Sequence, residues 1–236
     1  MRQGPSAKKT KNRYNNPVGR IDEKERIRKI SRRLAQTYPR AKIALRYKTN
    51  WELLVAVILS AQCTDKKVNE VTARLFKKYK TLEDYVHARP KEFERDIRAT
   101  GFFRAKARAI LATAKIIKEK FGGKVPKTMD EILTLRGVAR KTANVVLGNA
   151  YGIVEGIAVD THVRRLSSRL GLSKHSDPVK IEQDLMKLFP RKEWFSLTYR
   201  LINHGRAICT AKDPRCDLCP LANICPSAFR FPKFEK

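Results

Sequence analysis

Four cysteines fall within the 17 residues from Cys209 to Cys225, spaced C-x6-C-x2-C-x5-C. A disulfide framework spreads its cysteines through a small secreted domain. Four so close together, two of them only two residues apart, read instead as ligands of one metal or cluster. Cys216 and Cys219 can grip one edge, and Cys209 and Cys225 close the cage, while Pro214, Pro220 and Pro226 stiffen the loops between. Zinc takes four thiolates, usually from two short pairs, and only one short pair is present. An iron–sulfur cubane is wider and tolerates longer spacers. Spacing alone leaves both open. The fifth cysteine, Cys63, follows an apolar stretch and is expected to be a small buried residue rather than a nucleophile.

The remainder reads as helix after helix. Ile27, Ile30 and Leu34 recur at helical spacing until Pro39. Asn50 is the expected N-cap of a buried helix through Leu53–Leu59 (LLVAVIL). Val68, Val71, Leu75, Phe76 and Tyr79 form a second stripe, and a further helix starts near Pro90. A long helix is expected over about Arg104 to Phe121, stopping at Gly122–Gly123. Thr128 and Glu131 make a capping box, and later helices start at Asp160 and at Asp177–Pro178. Period-two alternation is not sustained anywhere, so the expected class is all-α with about ten helices. The longest apolar run, Leu53–Leu59, is far short of the roughly 20 residues of a membrane span, and Met1–Thr10 has no apolar signal core.

Lysine and arginine number 52 against 23 acids, a net charge of +29 on 236 residues. An excess of that size points to a polyanion, nucleic acid being the usual one. Residues 1–20 hold six basic residues and no acid, and read as a disordered basic tail. The rest of the chain still carries +23, so the tail does not explain the charge.

Residues 129–151, MDEILTLRGVARKTANVVLGNAY, read as a short helix, a turn at Gly137 and a second helix from near Arg140. The leading amides of that second helix can hold a phosphate; an ordinary αα-hairpin is the plainer reading. Lys141 falls in its first turn, where the helix dipole disfavours an ammonium and burial would disfavour it further. An unperturbed lysine is neutral only about one part in 2,500 at pH 7, so a nucleophilic role needs that help; its ordinary role is a phosphate-binding or exposed cation. Asp160, in GIAVDTHVRRL, is expected to cap the following helix. An ionised carboxylate there could also stabilise a cationic sugar or move a proton.

In order, LSAQCTD (59–65), LRGVARKTANVVL, VDTHVRRL and HGRAIC leading into the four cysteines resemble the endonuclease III family of helix–hairpin–helix DNA glycosylases. The resemblance runs from about Ile21 to Cys225. It implies a six-helix barrel over 43–152, with a second lobe made of 21–42 plus 153–225 and a tail at 226–236. It implies a [4Fe–4S] cluster on Cys209, Cys216, Cys219 and Cys225, and double-stranded DNA bound across the cleft between the lobes. It implies Lys141 as nucleophile and Asp160 as catalytic carboxylate. Gln62 would fill the gap left by a flipped nucleotide, and Phe102 would be an apolar wedge, although a core aromatic is the alternative. Arg136, Gly137, Val138, Ala139, Arg140 and Thr142 would form the phosphate-reading hairpin. Asp65 lies near the pocket in the family but is expected here as a second N-cap. His162 and His204 belong to matching motifs and receive no chemistry.

The activity implied is that of a bifunctional glycosylase and abasic-site lyase of base excision repair, acting on oxidised pyrimidines by a lysine Schiff base and β-elimination. The expected partner is duplex DNA with damaged bases or abasic sites; a monomer and an intracellular, DNA-associated location are expected. Six to ten phosphate contacts would lower affinity about 10³- to 10⁵-fold between 50 and 200 mM salt. A mismatch-specific thymine or uracil glycosylase, and a noncatalytic DNA-binding module held by a metal, are the alternatives. Two departures from the family pattern matter. Arg136 stands where proline is usual and Ala139 where a second glycine is usual. Alanine holds that loop only if its φ is negative.

Overall fold

The computed structural model describes residues 22–234, and the basic segment 1–20 lies outside them. Among the described residues there are eleven α-helices, a few 3₁₀ turns and no strand. In chain order the helices are α1 (Glu23–Thr37), α2 (Asn50–Leu59), α3 (Asp65–Lys78), α4 (Leu82–Val86), α5 (Pro90–Asp96) and α6 (Phe103–Phe121). They continue with α7 (Met129–Leu133), α8 (Arg140–Tyr151), α9 (Thr161–Arg169), α10 (Pro178–Leu188) and α11 (Arg191–Ala207). The all-α expectation holds. None of these helices is long and apolar enough to cross a membrane.

Local chemistry sets most boundaries. Asp22, Thr64, Asp160 and Asp177 each accept first-turn amides at the start of α1, α3, α9 and α10. Pro90 and Pro178 open α5 and α10 at a position where the missing N–H costs nothing. Gly122 ends α6 with φ 56°. Three caps differ from expectation. Thr49, not Asn50, caps α2, its side chain accepting the Glu52 amide. Asp65 is the first residue of α3, and Thr64 before it is the cap, because the hydroxyl one residue earlier reaches the Lys67 amide. Thr128 accepts the Glu131 amide, but Glu131 takes the Thr128 hydroxyl rather than the backbone amide, so that box is half made. The complete box is Thr81 with Asp84, at α4.

Two separate cores form. The first gathers Leu45 through Leu147, contributed by α2–α8. At its centre α2 is buried on every side, all of Leu53–Leu59 being 5% exposed or less, as a helix apolar all round must be. An edge-to-face cluster of Trp51, Tyr79, Tyr85 and Phe93 packs among the same helices. The second core joins Ile27, Ile30 and Leu34 of α1 to residues from Ile157 to Ile224. Arg26 and Arg33 of α1 donate to the carbonyls of Leu170 and Pro220, so α1 is tied to the rest of this core by polar bonds as well as packing. The chain thus leaves the second lobe after α1, builds the first lobe whole, and returns. After Cys225, Ala228 is buried and Phe231 lies under the Arg169 guanidinium, 4.7 Å from it.

Two ion pairs bridge the lobes. Asp65 of α3 accepts from Arg206 of α11 at 2.7 Å. Glu182 of α10, 4% exposed, accepts from Arg140 Nε and Asn144 Nδ2 of α8, both at 2.8 Å. A Cβ on Gly156 would fall 1.8 Å from the Glu182 carboxylate, so only glycine admits it there.

Candidate functional site

Between the lobes lies a cleft of about 650 Å³ lined by Ser60–Lys66, Lys141, Asp160–His162 and Arg206. It shares Ser60, Asp65, Lys141, Asp160 and Arg206 with a narrower recess of about 80 Å³ that continues between Leu45, Val57, Val145 and Tyr199. Lys141 comes from the first turn of α8 in the first lobe. Asp160 comes from the cap of α9 in the second lobe. The cleft therefore brings together two residues that the chain holds 19 positions apart and in different cores.

Asp160 accepts the Val163 amide through Oδ1 at 2.8 Å, which orients the carboxylate and leaves Oδ2 for the cleft. Lys141 is exposed, not buried. The expected desolvation is thus missing in the free protein and can come only from whatever fills the cleft. Burial lowers His162 below the usual imidazole range, against the pull of the Asp160 carboxylate.

The hairpin turns on Gly137, whose φ is +77°, and a Cβ there would lie 2.8 Å from the Ala109 side chain. Thr113 donates to the Arg136 carbonyl at 2.9 Å and fixes the turn on α6. Ala139 has φ −97° and ψ 170°, ordinary extended backbone, so the alanine in place of a second glycine is unstrained. It offers no capping side chain, and no acid stands in the first turn of α8. The leading amides of α8 are accordingly left for an anion. Arg136, Gly137 and Ala139 are exposed; Val138 is 8% exposed and packs inward; Thr142 is half-buried. Arg140 is half-buried with its Nε committed to Glu182. Gly137→Ala should cost about 1–3 kcal/mol, from the positive φ and the clash together, in urea unfolding. A variant as stable as wild type would show that the turn is not held this tightly.

Gln62 and Phe102 stand apart from their surroundings. Both adopt left-handed backbone, with φ 50° and 48°. Phe102 is 65% exposed at the start of α6, which removes the core-aromatic alternative. Gln62 is exposed on the cleft rim three residues past the end of α2, and Cys63 beside it is half-buried rather than fully buried. Strained, exposed residues persist where the surroundings over-determine them.

The four clustered cysteines line one cavity in the second lobe with His204, Arg169 and apolar neighbours. None is in a disulfide. Among the described residues no three His, Cys, Asp or Glu converge as the ligands of a single ion would. Burial pushes the Cys219 thiol up to about 12 and Cys225 up to about 11, and the neighbouring cysteines push the same way. Thiols raised in this way become thiolates only around a strongly cationic centre. The residues around them suit sulfur ligands. Arg169 Nη1 donates to Cys209 Sγ at 3.2 Å. His204 is 1% exposed, lowered to about 4 by burial and therefore neutral, with Nε2 3.4 Å from Cys219 Sγ and Nδ1 3.2 Å from the Tyr38 hydroxyl. The tautomer in which Tyr38 donates to Nδ1 is the one that offers an N–H to the sulfur.

Sequence reasoning missed Glu182, Lys106 and Arg206. Glu182 and Lys106 carried one signal: each is a charge standing on an otherwise apolar helical stripe, beside Ile181 and Leu185, and beside Ala107 and Ile110.

Residues 55–191 match the HhH-GPD superfamily of base excision DNA repair proteins, and residues 209–225 match the iron–sulfur binding domain of endonuclease III. The second match spans all four cysteines, and the cofactor that goes with it is a [4Fe–4S] cluster. The endonuclease III of Synechocystis sp. is 52% identical over 206 residues, covering 87% of this chain and 94% of that protein. That of Bacillus subtilis is 46% identical, over 82% of this chain and 88% of that one. Among solved structures, a trapped endonuclease III–DNA covalent intermediate, the estranged-adenine complex, superposes with a TM-score of 0.85 at 44% identity, covering 89% of this chain and 99% of that one. A non-covalent endonuclease III–DNA complex superposes with a TM-score of 0.86 at 43% identity, covering 92% and 100%. A thermostable thymine-DNA glycosylase shares the fold at 20% identity, with a TM-score of 0.78. With both family models matched and a 52%-identical endonuclease III aligned along 87% of its length, the chain belongs to the endonuclease III family of helix–hairpin–helix base excision repair proteins.

Proposed function

We propose that Lys141 is the nucleophile and Asp160 the charge-stabilising carboxylate of a bifunctional DNA glycosylase and abasic-site lyase acting on oxidised pyrimidines in duplex DNA. One observation carries the assignment: an amine from one lobe and an oriented carboxylate from the other open onto the same cleft. DNA seated across that cleft excludes water from Lys141, supplying the desolvation its exposed position lacks. Its neutral amine then attacks C1′ of the extruded nucleotide and expels the base, Asp160 stabilising the cationic sugar and assisting ring opening. The Schiff base formed acidifies the C2′ proton, and β-elimination cuts the strand on the 3′ side. The hairpin binds phosphate through the α8 amides and Arg136; Gln62 and Phe102 enter the duplex from one side. The two cores act as the two lobes holding DNA between them. The protein works as a monomer, inside the cell, at DNA.

The cluster is structural in this scheme: its four cysteines hold the carboxyl-terminal loops in a fixed shape. Cys216→Ser should bleach the yellow-brown absorption and lower the thermal midpoint by about 5 °C or more, roughly 1.5–2.5 kcal/mol on a domain this size. Colourless wild-type protein containing stoichiometric zinc would refute the cluster. The reaction is tested by borohydride reduction of wild-type protein with a duplex carrying an oxidised pyrimidine. A covalent adduct is expected, and its absence refutes the lyase.

A further inference from the structure

Lys106 is 5% exposed and stands in the first turn of α6, where the helix dipole is unfavourable to a cation. Such a burial needs a strong local reason. Its Nζ donates to the Leu59 carbonyl at 2.8 Å and to the Thr100 carbonyl at 2.7 Å. Leu59 ends α2, three residues before Gln62, and Thr100 ends the 3₁₀ turn two residues before Phe102. The two loops come from distant parts of the chain, and each contains a non-glycine residue at positive φ. One ammonium thus ties the bases of both strained, exposed loops to each other.

We propose that Lys106 is a positioning residue that joins the Gln62 and Phe102 loops into one two-pronged element, fixed in spacing, that drives nucleotide extrusion from the duplex. The proposal rests on the roles given above to Gln62, Phe102 and Lys141. Lys106 touches neither DNA nor the reacting atoms. Its two hydrogen bonds are made to helix-terminal carbonyls that otherwise have no amide in register, and a loop displaced by about 1 Å can cost on the order of 10²-fold in rate. Burial itself lowers the lysine from its ordinary range, the strain of a group kept for its bonds.

Extrusion and chemistry separate by substrate: an abasic site in single-stranded DNA has no stack to leave. Lys106→Met removes the donors and keeps the length of the side chain. With this variant, borohydride trapping on an abasic duplex should slow on the order of 10²-fold, while trapping on the abasic single strand stays within about twofold of wild type. Equal losses on both substrates, or no loss on either, overturn the proposal. Wild-type protein that traps neither substrate overturns the assignment of Lys141 and the proposal with it. Should Lys106→Met fail to fold, Gln62→Ala, Phe102→Ala and the double variant carry the test on duplex. Two prongs on one mount should be strongly coupled, the double variant losing little beyond the worse single one. Additive losses overturn the linkage.

Discussion

Lys141→Ala will form no borohydride-trapped adduct with abasic DNA and will cut the strand at least about 10³-fold more slowly, since a nucleophile removed from an otherwise intact site is among the costliest single changes in enzymes. Its folding stability should be unchanged, because the side chain is exposed and bridges nothing in the free protein. Asp160 needs two variants, because it caps α9 as well as facing the cleft. Asn caps as well as Asp, so Asp160→Asn should fold normally and still lose about 10²-fold or more in rate, the usual loss when an electrostatic stabiliser is removed. Asp160→Ala should in addition lose about 1 kcal/mol of stability with the cap. Rate and adduct yield on abasic duplex, measured beside urea unfolding, separate these effects. An alanine variant at Lys141 that still traps DNA would move the nucleophile elsewhere.

Glu182→Ala should give the largest stability loss among polar substitutions, about 2–4 kcal/mol in urea unfolding. Removing one member of a buried ion pair costs about 3–5 kcal/mol when the other charge is stranded. Here Arg140 keeps 39% of its side chain in water, which lowers the figure. Asn144 loses its acceptor outright, and its own Oδ1 is already without a partner. Glu182→Gln should be far milder, about 1 kcal/mol. An amide can accept from Arg140 and donate to Asn144 Oδ1 once the asparagine side chain turns over. The alanine variant should also be slower, because Arg140 and Asn144 flank Lys141 on α8 and Glu182 is how the second lobe holds that helix. Stability within about 0.5 kcal/mol of wild type would show the bridge to be unimportant.

Helix stripes, the glycine stop after α6 and the caps at Asp160 and Asp177 were legible because each depends on a few neighbouring residues. So were the cysteine cage and the hairpin, whose chemistry is carried by spacing. Where two cap formers adjoin, as Thr49 with Asn50 and Thr64 with Asp65, pattern cannot choose, and side-chain reach decides. The exposure of Phe102 was not legible either, since a left-handed residue at a helix start is dictated by how the preceding turn packs. Least legible were Lys106, Glu182 and Arg206. Each has a partner far along the chain, 47, 38 and 141 residues away, and two of those partnerships involve a backbone carbonyl or an asparagine with no signature of its own.

Because α1 belongs to the core that is completed last, synthesis imposes an order on this protein. A nascent chain that has emerged as far as Tyr151 holds every helix of the first core, yet Ile27, Ile30 and Leu34 have nothing to pack against until residues beyond Ile157 leave the ribosome. Premature termination between those points would release a folded half with a sticky amphipathic arm and no cysteine cage. Such a fragment is a natural client for chaperones and proteases. The cluster can mature only in a chain that has been made past Cys225.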